Sequence, residues 1–85
     1  MDMENTLLAV AREFAPSGRG PLEMGSRLLQ DFGFDSLRIM NLMLEIEKRF
    51  GVTIPNEELE PANFRTPETI VALLERILDN DGTET

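Results

Sequence analysis

Apolar positions in this chain recur at spacings of three and four, the period of a helix, and hardly at all at two. Met3, Leu7, Val10, Ala11 and Phe14 make one face of a first helix running from about Glu4 to Phe14. The turn-rich "PSGRGP", Pro16 to Pro21, ends it. From there to Asp35 the chain carries Leu22, Met24, Leu28, Leu29, Phe32 and Phe34, too many apolar residues for a free linker. This pattern predicts a loop packed on the core, with room for a short helical turn. A longer helix opens at Ser36 and closes near Phe50, where Gly51 is the stop signal. "VTIP", Val52 to Pro55, reads as a short extended piece. Asn56 is suited to cap a short helix through Glu57, Glu58 and Leu59, with Pro61 close behind. The last helix has Thr66 as its cap, Pro67 in its first position and Glu68 at the positive end of its dipole. Its buried stripe is Ile70, Val71, Leu73, Leu74, Ile77 and Leu78, and the polar tail from Asp79 to Thr85 is expected to fray. The prediction is an all-α fold, a small bundle of three main helices plus one short helix. It forms one domain over residues 1–85, folded over about 4–79 with a flexible tail at 80–85.

Composition narrows what such a bundle can do. An 85-residue chain that is 41% hydrophobic and 28% charged has the make-up of one small globular domain. It has no cysteine, which excludes disulfides, thiolate metal sites and a cysteine nucleophile. It has no histidine either, which removes the commonest general base and metal ligand. No run approaches the roughly 18 apolar residues of a membrane span, and no secretory signal opens the chain, so a cytoplasmic monomer is expected. Eight basic against sixteen acidic residues give a formal charge of −8. That charge argues against nucleic acid and against an anionic membrane surface as partners. It favours a partner protein with a basic patch, or serves only solubility.

Two short matches carry no chemistry. "DFG" at Asp31 to Gly33 resembles a kinase metal-binding triplet, in a chain far too short to be a kinase. "DNDG" at Asp79 to Gly82 resembles the start of a calcium loop whose closing glutamate never arrives.

The helix opened by Ser36 is more informative, because it is apolar on two sides. On a wheel of about 100° per residue, Leu42, Met43, Ile46 and Phe50 fall within about 60° of Ile39 and form the core stripe. Leu37, Met40 and Leu44 lie at about 100–160° from it, and Ser36 projects at their edge. The second stripe either packs beneath the long loop or another helix, or faces solvent as a docking surface for a partner. Met40, unbranched and adaptable, suits a surface that must fit several partners. Ser36 either caps the helix or is a substrate for another enzyme. It is no catalyst: no histidine can activate it, and Lys48 is more than three turns away. A phosphate-bearing modification suits a helix N-terminus, and Asp35 beside it could help hold a metal ion brought by a modifying enzyme. Ser17 and Ser26 lie in the long connection without that helix start.

These residues resemble the acyl carrier protein family, including its peptidyl and D-alanyl carriers. The resemblance runs through Gly33, Asp35-Ser36-Leu37, the apolar Met40, Leu42, Met43 and Ile46, then Glu47, Phe50, "VTIP" and the helix opened by Thr66 and Pro67. It covers about Leu7 to Leu78. It implies that Ser36 is esterified by 4′-phosphopantetheine, transferred from coenzyme A by a phosphopantetheinyl transferase, with Asp35 assisting. An acyl or aminoacyl group would then ride on the arm as a thioester, on a chain with no catalysis of its own. Leu37, Arg38, Met40, Asn41 and Leu44 would meet loading and downstream synthase enzymes, and a gap between helices could shelter an acyl chain. The sequence departs from fatty-acid carriers at Arg38 and Asn41, where those carriers often hold acidic residues. "NFRTPETI", Asn63 to Ile70, looks more like free-standing aminoacyl or polyketide carriers. The expectation is therefore a carrier in a specialised polyketide, peptide or modified fatty-acid pathway. The alternatives are a housekeeping fatty-acid carrier and an unmodified helical adaptor that binds a partner helix. A hydrolase built on paired carboxylates would need more cleft than so small a bundle offers.

Overall fold

The computed structural model describes residues 2–16, 18 and 20–83, and the side chains of all these but 80–83. Four α-helices follow in order: α1 (Met3–Phe14), α2 (Leu28–Phe32), α3 (Ser36–Phe50) and α4 (Pro67–Thr83). Two 3-10 turns, Asn56–Glu58 and Pro61–Phe64, lie between α3 and α4. There is no strand among the described residues, as the helical period requires.

The core is the meeting of the stripes. Leu7, Val10 and Ala11 of α1, Leu42 and Ile46 of α3, and Ile70, Val71, Leu73, Leu74 and Ile77 of α4 are all buried. α1 packs against both α3 and α4, and α4 packs against the second 3-10 turn through Phe64. The long connection closes over this core with Leu22, Leu28, Phe32 and Phe34, all buried, so it is no free linker. It is held at two further points: the Leu28 N–H donates to the Arg65 carbonyl at 2.9 Å, and the Glu68 N–H donates to the Met24 carbonyl at 3.0 Å. Its short helical turn is α2.

Several local expectations change. The short α-helix lies before Ser36 rather than after Pro55, where the chain makes two tighter turns. Asn56 is the first residue of a turn and caps nothing with its side chain; Pro55 precedes it. A segment crowded by Pro55 and Pro61 lacks the uninterrupted N–H run that an α-helix needs. Leu59 sits between the turns and is exposed, and Leu29 and Leu78 are exposed where a buried role was expected. Thr66 does cap α4, its Oγ1 accepting the Thr69 N–H at 3.1 Å. α4 keeps its helical backbone to Thr83, past the start of the polar tail at Asp79; residues 84–85 of that tail lie outside the described residues. "DFG" proves to be the end of α2: Gly33 takes the left-handed conformation at φ 68° that stops the helix, and Asp31 pairs with Arg27 at 3.1 Å. "DNDG" continues the α4 backbone instead of looping, and the side chains at 80–82 lie outside those described.

Candidate functional site

Gly33 decides where α3 begins. Its positive φ turns the chain out of α2, Phe34 plugs into the core, and Asp35 emerges in an extended conformation at the mouth of the next helix. Asp35, and not Ser36, is the cap. Its Oδ1 accepts the Arg38 N–H at 2.8 Å, and Ser36 is the first helical residue behind it. The Ser36 side chain is therefore exposed and its hydroxyl has no hydrogen-bond partner among the described residues. A serine freed from capping offers both oxygen lone pairs and its proton to an incoming reagent.

The two stripes of α3 part as the wheel predicts. Leu42 and Ile46 are 1% and 0% exposed, with Ile39, Met43 and Phe50 partly buried against the same core. Leu37, Met40 and Leu44 are 65%, 52% and 56% exposed, so the second stripe lies beneath neither the loop nor another helix. Asn41 is exposed beside them.

Arg38 is placed differently from the other candidate contacts. It is half-buried, and its Nη1 donates to the Phe14 carbonyl at 2.6 Å. That carbonyl ends α1, where the helix dipole is negative, so the guanidinium is held by both a hydrogen bond and a field. The clamp ties the end of α1 to the beginning of α3. At its other end α3 is fixed again: Gly51 stops it at φ 66°, and Glu47 Oε2 accepts the Ile54 N–H at 2.7 Å. Arg49 there binds Glu45 at 2.7 Å and Glu13 at 3.3 Å. The Glu45 hydrogen bond, with the charge of Glu13, pushes the Arg49 guanidinium further up, so this cation never titrates in ordinary conditions.

An apolar cleft of ≈ 250 Å³ opens beside Ser36. Ser36, Ile39, Met40 and Met43 form its α3 wall, Leu29 of α2 closes one edge, and Leu59, Glu60, Pro61 and Phe64 face them. Met40 thus serves both the cleft and the outward stripe. Sequence reasoning missed Leu29, Leu59 and Pro61 as lining residues; the signal available for Leu59 was a large apolar residue close to Pro61 in a segment too short to bury it, and for Leu29 its place on a helix of only five residues. A second hollow, sharing Leu29 and Pro61, is lined by Arg27, Gln30 and Arg65. Among the described residues, no cluster of acidic residues is placed to hold a metal ion, and no helix is long and apolar enough to cross a membrane. Ser26, in the connection, accepts the Glu23 N–H at 2.8 Å through its Oγ, whereas Ser17 lies outside the described residues.

Comparison with known proteins bears on this geometry. The family model "Phosphopantetheine attachment site" matches residues 17–74, which bracket Ser36. An acyl carrier protein of Rickettsia bellii is 49% identical over 37 residues, covering 44% of this chain and 43% of its own. Aminoacyl carrier protein 1 of Bradyrhizobium diazoefficiens is 45% identical over 42 residues, covering 49% of this chain and 47% of its own. Each alignment thus spans less than half of the relative. The fold agrees over a longer stretch with a chain from the crystal structure of Bradyrhizobium japonicum glycine:[carrier protein] ligase complexed with glycylated carrier protein. There the TM-score is 0.73 at 30% identity, covering 85% of this chain and 99% of that one.

Proposed function

The chain belongs to the phosphopantetheine attachment-site family of carrier proteins, and on that premise we propose that Ser36 bears the arm and that the carrier serves a specialised, amino-acid-loading pathway. Membership implies a covalently attached 4′-phosphopantetheine. The residues at Ser36 fit such a group. The residue is exposed, its hydroxyl has no hydrogen-bond partner among the described residues, and the apolar cleft beside it can receive part of a long flexible substituent. When attached, the group supplies the thiol that this cysteine-free chain lacks. The observation that carries the assignment is the division of labour between neighbours: Asp35 satisfies the helix N-terminus, which leaves Ser36 chemically available. A modified serine that also capped its helix would lose the cap on modification, whereas α3 keeps its own.

Each residue then has a part. Asp35 caps the first turn of α3 and directly precedes the serine, a position from which it assists the phosphopantetheinyl transferase. Leu37, Met40, Asn41 and Leu44 form the face that partner enzymes meet, with Arg38 behind it as a clamp. The pathway reading draws support from the aminoacyl carrier of Bradyrhizobium and from the glycylated-carrier complex, and from the absence of acidic residues between Ser36 and Leu44. The acyl carrier relative favours the second reading, a housekeeping fatty-acid role.

Intact mass after incubation with coenzyme A and a broad-specificity transferase tests the site: one arm is added to the native protein and none to Ser36→Ala. An arm on Ser36→Ala sinks the assignment. The pathway is tested by comparing the native carrier with the Arg38→Asp, Asn41→Glu double variant in malonyl transfer and elongation. Equal performance of the two favours the fatty-acid role.

A further inference from the structure

Among the described residues, every arginine but one has a polar partner for its guanidinium. Arg12, Arg27, Arg49 and Arg76 pair with carboxylates, and Arg38 donates to the Phe14 carbonyl. Arg65 is exposed and its guanidinium has none, although the chain carries sixteen acidic residues against eight basic ones. Its backbone is tied down: the Arg65 carbonyl accepts the Leu28 N–H at 2.9 Å, which joins the root of the side chain to the start of α2. Arg65 lines the hollow of ≈ 190 Å³ that shares Leu29 and Pro61 with the cleft beside Ser36. Of the other polar side chains there, Arg27 is engaged by Asp31, while the exposed Gln30 amide has no partner among the described residues.

The cleft itself holds the opposite charge. Glu60 is the one charged residue in its lining among the described residues; it is exposed, and its carboxylate has no partner there. Its backbone is fixed as well, the N–H donating to the Glu58 carbonyl at 2.9 Å and the carbonyl accepting the Asn63 N–H at 2.9 Å. A substituent that leaves Ser36 along the cleft runs beside a carboxylate. Where it crosses the shared wall of Leu29 and Pro61, it meets a guanidinium and an amide. A fatty acyl group would use neither charge and would lay hydrocarbon against a hydrated cation. A neutral aminoacyl group brings one ammonium, which suits Glu60, and leaves Arg65 unused. An aminoacyl group with a second carboxylate matches both, and a planar guanidinium receives a carboxylate through two parallel N–H donors.

We propose that the cargo of this carrier is an acidic aminoacyl group, and that Arg65 and Gln30 receive its second carboxylate while Glu60 faces its ammonium. The proposal rests on Ser36 as the attachment point and on the amino-acid-loading reading, which it narrows to one charge class. Contacts between exposed charges are weak. They bias the loaded arm toward the domain without trapping it, as a carrier that must release its cargo requires.

The test arms the full chain with a broad-specificity transferase and coenzyme A analogues in which a stable amide replaces the thioester, bearing a glutamyl, glutaminyl or glycyl group. Mass confirms one arm per protein, and nitrogen–proton NMR follows the Arg65 Nε and the Leu29 and Gln30 backbone amides. Glutamyl and glutaminyl arms are nearly identical in shape, so their difference reports the charge. The Arg65 shift should be about two- to fivefold larger with glutamyl than with glutaminyl, the range expected of an exposed ion pair. It should shrink toward the glutaminyl value between about 50 and about 500 mM salt. The glycyl arm should leave Arg65 unmoved. Arg65→Gln, checked for native circular dichroism, should erase the difference at Leu29 and Gln30. Equal Arg65 shifts with glutamyl and either other arm, or a difference at Leu29 and Gln30 that survives Arg65→Gln, overturns the proposal while the loading reading stands. The cargo on carrier purified from its native host separates the two claims again. A neutral aminoacyl group there overturns the proposal alone, and a fatty acyl group overturns the loading reading and the proposal with it.

Discussion

The two apolar stripes of α3 are built from the same kinds of residue and have opposite fates. Leu42 and Ile46 vanish into the common core, while Leu37, Met40 and Leu44, on the same fifteen-residue helix, stand in water. Nothing about leucine chooses between these outcomes; what chooses is whether another element arrives. The first stripe meets α1 and the shared core, and the second is covered by neither the long connection nor the 3-10 turns, which leave the cleft open. The difference teaches that burial makes one stripe a source of stability, while the other contributes little to it and, on the proposed reading, serves contacts made outside the chain. Equally instructive is where the fixed points lie. The outward stripe has a clamp at Arg38, a cap at Asp35 and a glycine stop at Gly51, so its exposure does not come with disorder of the helix that carries it.

Six substitutions, at five positions, break or sharpen this contrast. Ile46→Ala should be the most damaging, with a loss of about 2–5 kcal/mol, a large part of the stability of so small a domain. Chemical denaturation reads it directly, and a loss no larger than that of Leu44→Ala would erase the distinction between the stripes. Next comes Arg38→Ala, which deletes a charge-assisted bond to the α1 carbonyl and should cost about 1.5 kcal/mol. Arg38→Lys should recover only part of this, since an ammonium has a different reach and no planar fork. Asp35→Ala should cost about 1 kcal/mol through the lost cap, visible as a lower melting temperature and faster amide exchange in the first turn of α3. Ser36→Ala and Leu44→Ala should be smallest, each within about 0.5 kcal/mol of native stability, since neither side chain holds the fold together. A melting temperature for Ser36→Ala as low as that for Asp35→Ala would mean that the serine shares the capping.

That last pair marks the boundary of what could be read from residues alone. The limits of α3, its buried stripe and the family resemblance were legible because they rest on periodicity and on local signals such as Gly51. Which neighbour caps α3 was not legible, because aspartate and serine are nearly equivalent caps and the choice depends on how Gly33 delivers the chain. Arg38 was expected at the partner face; its bond to Phe14 spans 24 residues and depends on how α1 and α3 pack, which no local pattern encodes. The exposure of Leu29, Leu59 and Leu78 has the same origin. Propensity says that these residues are apolar, while tertiary packing decides whether anything covers them. Asn56 failed for a different reason: its sequence context was right for a cap, but two nearby prolines left no α-helix to cap.

The Arg38 clamp has a mechanical side. A flexible tether explores a volume set by its length, and the chance of its tip entering a given enzyme is an effective concentration that depends on how still its root is held. If Ser36 is that root, the clamp two residues away converts a fraying first turn into a fixed pivot, welded to α1 rather than suspended from the loop before it. Loosening it would spread the tip over more positions without shortening its reach. The loss would appear as slower delivery from a carrier whose arm and docking face were both still intact.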